Sequence, residues 1–250
     1  MMVSVPWLRK EVIGDATLYL GDCATIMPAF ECGGGAALVT DPPYGIAFAH
    51  AGNDKSGIGK GKYATAFPGK AIAGDDAPFD PAPWLQPGRA AILWGANHYA
   101  SRLPDGSRWL VWDKRAASHH TNDFADCELA WTNLGGVARV FRHHWDGMMR
   151  ASEQGQPRVH PTQKPVALMM WCIGFTADGA RIFDPFMGSG TTGVAAVQLG
   201  RAFTGIELDA GYFDAACRRI EEACRQPDLL GASPRPPAAS QADMFGGADE

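Results

Sequence analysis

The stretch VTDPPYGIAF, Val39 to Phe48, sets an acid, two prolines and a tyrosine directly behind an apolar run, where a strand would be ending. The Asp41 carboxylate and the Pro42 carbonyl can each accept an N–H, and Pro42 and Pro43 lock the turn so that both acceptors point one way. Tyr44 adds an aromatic face on which a planar ring can stack. Such a group of residues can hold an exocyclic amino nitrogen pyramidal, so that its lone pair, otherwise delocalised into the ring, becomes available for attack. Taken alone, the motif is also compatible with a plain proline turn and a packed tyrosine.

A second stretch, RIFDPFMGSGTTGVAAVQLGRAFTGIELD (Arg181 to Asp209), reads as strand, glycine turn, small-residue helix and second strand. Gly188 and Gly190 let backbone approach a ligand, the helix start offers free N–H groups, and Glu207 at the end of the second strand can accept from two ribose hydroxyls. This is a nucleoside-binding layout. A phosphate-cradling loop is the competitor, but GSGTTG lacks the lysine that would meet the phosphates and the full three-glycine dinucleotide spacing.

Both stretches need a sheet to position them. The runs at 17–20, 36–40, 90–94, 109–112, 128–131, 181–183 and 202–207 read as strands, several apolar on both faces as in a buried parallel sheet. Helical patterns span 165–176, 191–199 and 210–224. The alternation implies a doubly wound, Rossmann-like α/β fold in one domain, 1–225, followed by a Pro/Ala/Ser/Gly-rich tail, 226–250, expected to be disordered. The 250 residues, 46% hydrophobic and 20% charged, suffice for one core. No apolar run has the length of a membrane helix and the N-terminus lacks the order of a secretory signal, so a cytoplasmic protein is expected. The six cysteines form no CxxC pair, and the doublets His119/His120 and His143/His144 lack further ligands, so no metal is expected.

The formal charge of −5 is uneven: the tail from Pro227 has four acids against Arg235, whereas Arg139 to Lys164 holds five Lys/Arg against Asp146 and Glu153. That basic segment can dock a polyanion or form an ordinary solvated face.

Taken together, DPPYG (Asp41 to Gly45), DPFMGSGTT (Asp184 to Thr192) and HPTQKP (His160 to Pro165) resemble the motifs of the S-adenosylmethionine-dependent DNA amino-methyltransferases, in the order of their circularly permuted β group. The resemblance runs from about Leu18 to Ile220 and includes YLGDC (Tyr19 to Cys23), LVWDKR (Leu110 to Arg115) and Glu128. It implies catalysis by Asp41, Pro42, Pro43 and Tyr44 on a base flipped out of double-stranded DNA. For the cofactor it implies contacts from Asp184 and Phe186, from Gly188 and Gly190 against the methionine portion, and from Thr191 and Thr192 at its carboxylate. Glu207 would take the ribose and Asp22 the adenine. Thr162 and Lys164 would add to the carboxylate contacts, with a DNA phosphate as the other place for Lys164. The short segment 133–159 falls where this group keeps its target-recognition region, which makes Arg139, Arg142 and Arg150 DNA-binding candidates. Lys60 and Lys62 join them from the Gly/Lys-rich loop 49–74, which can close over the flipped base or be a plain flexible loop.

The reading is therefore a DNA methyltransferase, monomeric or homodimeric, acting on adenine N6. Cytosine N4 is the alternative within the class, and a non-catalytic nucleic-acid-binding relative the alternative outside it. In the tail, QADMF (Gln241 to Phe245) resembles the peptide by which bacterial proteins bind the replicative sliding clamp. Met244 and Phe245 would fill an apolar pocket and Gln241 would bond at its rim, with chance occurrence in an unstructured tail as the alternative.

Overall fold

The computed structural model describes residues 5–29, 36–46, 72–86, 88–106, 108–115, 125–146, 149–156 and 159–225. Lys60, Lys62 and the tail with Gln241, Met244 and Phe245 lie outside the described residues. In chain order the strands are β1 (Arg9–Ile13), β2 (Ala16–Leu20), β3 (Ala37–Thr40), β4 (Ala91–Trp94), β5 (Arg108–Asp113), β6 (Cys127–Thr132), β7 (Arg139–Arg142), β8 (Trp145–Asp146), β9 (Met149–Arg150), β10 (Ile182–Asp184) and β11 (Phe203–Glu207). The α-helices are α1 (Cys23–Ile26), α2 (Val166–Ile173), α3 (Thr191–Gln198) and α4 (Ala210–Arg225), and one-turn helices occupy Ala82–Trp84, Ala96–His98 and Ala100–Arg102.

Nine strands form one sheet in the order β1-β2-β11-β10-β3-β4-β6-β5-β7, with β8 and β9 as a separate pair. From β2 to β4 the neighbours are all parallel, which places the C-terminal ends of β2, β11, β10 and β3 side by side along one edge. In open α/β sheets that edge is where ligands bind. The runs ALVT, AILW and IFD are buried along their whole length, as strands covered on both faces must be.

Alternate residues of these strands feed two cores. Val39, Ile92 and Trp94 pack with Leu168, Val194, Ala195, Phe213 and Ile220 under α2, α3 and α4. Leu38, Leu93, Phe183 and Ile206 pack on the opposite face with Ile26, Phe79, Trp84 and Tyr99, so α1 and the one-turn helices cover that side. Gly193 inside α3 has a packing cause, because a Cβ there would lie 2.5 Å from Ile220 and 2.8 Å from Phe203. Among the described residues no helix is long and apolar enough to cross a membrane.

All seven sequence-read strands and all three helical patterns are present. The sheet is not wholly parallel, however: β6 runs antiparallel to both β4 and β5, and β1 antiparallel to β2. The segment 133–159, to which the sequence assigned no strand, contains β7 on the sheet edge beside β5 and the β8–β9 pair. RVFR pairs its backbone with β5 while Arg139, Val140 and Arg142 stay exposed, so an edge strand carries no alternation to betray it.

Candidate active site

Asp41 to Tyr44 leave the end of β3 beside the end of β10, and the two strands are tied by a buried hydrogen bond from Thr40 Oγ1 to Asp184 Oδ1, 2.6 Å. Asp184 Oδ1 also accepts from the Phe186 amide at 3.1 Å, and burial pushes its carboxyl up to about 6. The turn is clasped from outside by Asp75, which is buried and accepts from the amides of Gly45 (2.7 Å) and Ile46 (3.3 Å). Gly45 has φ 74° and a Cβ on it would lie 2.4 Å from the Ala77 carbonyl oxygen, so a side chain there would break the clasp.

The Tyr44 ring stacks on the His98 imidazole, centroids 5.0 Å apart and planes at 13°. It also lies against the backbone of Gly95, where φ is 70° and a Cβ would come within 1.9 Å of the ring. Gly95→Ala is therefore expected to displace Tyr44 and lower kcat by about ten- to thirtyfold with little change in cofactor affinity. Single-turnover rates and a calorimetric titration check this, and an unchanged rate would show that the ring's position does not matter.

Asp41 has a donor on each oxygen. Tyr44 donates its hydroxyl proton to Oδ1, and the Lys164 ammonium approaches Oδ2 at 2.7 Å. Lys164 also reaches the Tyr44 hydroxyl oxygen (3.2 Å) and Glu128 Oε2 (2.9 Å), and Glu128 Oε1 accepts from Lys114 at 3.0 Å. Burial raises the Asp41 carboxyl pKa while Lys164 opposes it. Burial also works against charge on Glu128 and on Lys164, but is outweighed in each: the two lysines hold Glu128 below its ordinary value, and Asp41 and Glu128 hold Lys164 above its own.

At the second stretch, Glu207 Oε2 accepts from the Gly188 amide at 2.9 Å and Oε1 from Asp209 at 2.7 Å. These bonds occupy two of a carboxylate's roughly four acceptor positions and leave the others for a ligand's hydroxyls. Gly188, at φ 52°, faces the His160 ring, 3.7 Å from where a Cβ would sit. Gly190, at φ 79°, caps α3 and presses on α4, with Ala216 2.8 Å from a Cβ position, so its glycine is a packing requirement as well. Arg219 braces this loop by donating to Ser189 O (2.7 Å) and Thr191 Oγ1 (3.1 Å). Asp22, at the end of β2 next to Glu207, caps α1 by accepting from the Ala24 amide at 2.9 Å. Phe186 packs edge-on to Phe79 and Trp84.

The sequence-read residues thus divide. Asp22, Glu207, Gly188, Asp184 and Asp41 come together along the C-terminal ends of four adjacent strands. Thr162 turns its hydroxyl to His160 Nδ1 at 3.1 Å, and Thr191 and Thr192 are buried at the start of α3. Lys164, expected at a cofactor carboxylate or a phosphate, instead joins Asp41 to Glu128. Arg139 and Arg142 are exposed on β7, and Arg150 lies over the Trp145 ring at 5.3 Å and donates to Gln156 O at 2.8 Å. Lys114 was read only as part of LVWDKR, with no role given to it. Asp75, Gly95, His98 and Arg219 escaped sequence reading, because each acts through a partner distant in the chain or through backbone geometry and none sits in a motif.

The donor set suits a ligand with paired hydroxyls, since Glu207 keeps acceptor positions beyond the two backbone amides it holds. Over 140 residues the chain is 44% identical to the type II methyltransferase M2.DpnII of Streptococcus pneumoniae, a match that covers 52% of this chain and spans about half the length of that relative, 50%. The M1.HpyAVI–SAM complex superposes with a TM-score of 0.52 at 24% identity, covering 82% of this chain and 99% of that one. The PvuII DNA methyltransferase, described as cytosine-N4-specific, does so with 0.54 at 15% identity, covering 86% and 90%, and both likenesses are of fold. Residues 94–218, half of the chain, match the N6_N4_Mtase family of DNA methylases, and the chain belongs to that family.

Proposed function

We propose that the chain transfers a methyl group from S-adenosylmethionine to the exocyclic amino nitrogen of adenine, N6, in DNA. The observation that supports it most is the adjacency of the Asp41 turn and the glycine loop on neighbouring strands, linked by Thr40 and Asp184. Bound at the loop, the cofactor supplies an electrophilic methyl group on sulfur. Glu207 accepts from the ribose, and the Gly188 backbone lies against the methionine portion. Tyr44 receives the flipped base on its ring, because the amino group is unreachable while paired. The Asp41 carboxylate and the Pro42 carbonyl each accept one N–H, which turns the nitrogen lone pair toward the methyl carbon. The nitrogen would take the methyl group as the sulfonium's C–S pair stays on sulfur, and the surplus proton would pass from the nitrogen to the Asp41 carboxylate that holds its N–H and from there to water.

The test is direct. DNA incubated with the protein and S-adenosylmethionine carrying a labelled methyl group, digested to nucleosides, should yield labelled N6-methyladenine. Label in N4-methylcytosine would reassign the base, and none in any nucleoside would end the proposal.

DNA would lie along the basic segment. Neutralising Arg139, Arg142 and Arg150 together is expected to weaken DNA binding and to flatten the dependence of log K on log salt by about two to three. A fluorescence-anisotropy series across salt concentrations measures the slope, and an unchanged slope would move the DNA face elsewhere.

A further inference from the structure

Behind the Asp41 turn, four charged groups from four segments form an alternating row. Asp41 follows β3, Lys164 precedes α2, Glu128 lies on β6 and Lys114 follows β5, with successive contacts of 2.7, 2.9 and 3.0 Å. Their formal charges cancel. Lys164 is buried, and its ammonium has three protons. Asp41 and the Tyr44 hydroxyl accept from it, and Glu128 Oε2 pairs with its charge at 2.9 Å, so the ammonium is engaged by three protein groups.

An amino group arriving at Asp41 meets a carboxylate already bonded at both oxygens. Each oxygen keeps an acceptor position toward an arriving N–H, and Lys164, shared with a second carboxylate, is the donor that can give way as that bond forms. We propose that Lys164 is a positioning residue that moves between two acceptors: in the DNA-free protein it keeps Asp41 ionised, and on substrate entry it withdraws onto Glu128 and frees Oδ2 for the amino N–H. This rests on the methyl-transfer reading above. It adds a role for Glu128, which touches no substrate but keeps the displaced ammonium paired.

The electrostatics give the two residues opposite signatures. Around Asp41 stand Lys164, the Tyr44 and Tyr99 hydroxyls, and the carboxyls of Glu128 and Asp184, with Lys114 behind Glu128. Lys164 is the cation that lowers the Asp41 pKa, whereas Glu128 raises it. A protonated Asp41 would donate where it has to accept, so activity should fail as pH drops through the Asp41 midpoint. Lys164→Met must therefore move that midpoint, and the acid limb of kcat, to higher pH. Glu128→Gln must move both to lower pH while its kcat plateau falls, because Lys164 keeps a neutral oxygen but has lost the second negative charge onto which it withdraws.

The Asp41 carboxyl carbon can be followed by NMR in protein labelled with 13C-aspartate, its signal assigned with Asp41→Asn, without DNA or cofactor. Lys164→Met should raise the midpoint by at least about one pH unit, Glu128→Gln should lower it by several tenths, and Lys164→Arg, which keeps the charge, should leave it in place. The acid limb of kcat should shift with the same signs, while the S-adenosylmethionine dissociation constant of Lys164→Met stays within about twofold. An unmoved midpoint in Lys164→Met, with or without weaker cofactor binding, overturns the proposal, as do shifts of the same sign in Lys164→Met and Glu128→Gln. If Lys164→Met does not fold, Glu128→Gln and Lys164→Arg decide alone: a midpoint raised or unmoved in the first, or displaced by a full unit in the second, overturns it. If the unaltered protein methylates no DNA, the functional reading fails, and the NMR midpoints still decide whether Lys164 and Glu128 control Asp41.

Discussion

Asp41→Ala is expected to lower methyl transfer by about a thousandfold or more while S-adenosylmethionine binding stays within about twofold of the unaltered protein. The carboxylate lies at the end of β3, and its bonded partners are Tyr44 and Lys164, not the glycine loop. Its loss therefore leaves Glu207, Gly188 and Arg219 as they are. What disappears is the charged acceptor that pulls one amino N–H out of conjugation, and with it the lone pair that attacks. Lys164 keeps Glu128, so the variant does not strand a buried cation, and it should fold. Asp41→Asn is a sharper form of the test. Its amide oxygen can still accept, but it is neutral, and its NH2 group faces either Lys164 or the Tyr44 hydroxyl, so a loss nearly as large is expected. Single-turnover methylation and calorimetric cofactor titration, run on the same preparations, separate the two quantities. Turnover near that of the unaltered protein would remove Asp41 from the mechanism.

The contrast between Glu207 and Lys164 shows how far the sequence could be read. Glu207, Gly188 and Gly190 lie within one strand–turn–helix–strand unit, and local residue types fix that geometry: a left-handed glycine, a helix start and an acid at a strand end. The buried strands were legible for the same reason, since ALVT, AILW and IFD have no polar face to present to water. Strand direction was not legible. CELAWT and RWLVWD carry no mark of being antiparallel to each other, because direction is decided by connections and not by side-chain period. Lys164 is 123 residues from Asp41 in the chain, and a lysine reads alike whether it faces a phosphate or a carboxylate. Only the packing of the segment before α2 against β3 and β6 settles which. Asp75 is a similar case, 30 residues from the glycine amide that it holds.

Glu207→Ala is expected to act on the other side of the site, raising the S-adenosylmethionine dissociation constant by roughly 30- to 1000-fold, or about 2–4 kcal/mol. Two losses combine. The direct loss is the ribose acceptor, and the indirect one is the anchor of the loop itself, because the carboxylate holds the Gly188 amide at 2.9 Å and the Asp209 amide at 2.7 Å. Without it the Gly188 backbone, at φ 52°, loses the bond that fixes its approach to the ligand, although Gly190 remains pinned against Ala216 and Arg219 still braces Ser189. Glu207→Gln should fall between the two, since its amide oxygen can serve one of the backbone N–H groups while its NH2 group faces the other. At saturating cofactor the single-turnover rate should recover to within several-fold, because Asp41, Tyr44 and Lys164 do not touch Glu207. The two variants would then divide the site in two: Asp41→Ala empties the rate and spares affinity, and Glu207→Ala does the reverse. An unchanged dissociation constant for Glu207→Ala would take the cofactor away from the ends of β10 and β11 and leave Glu207 as a loop brace alone.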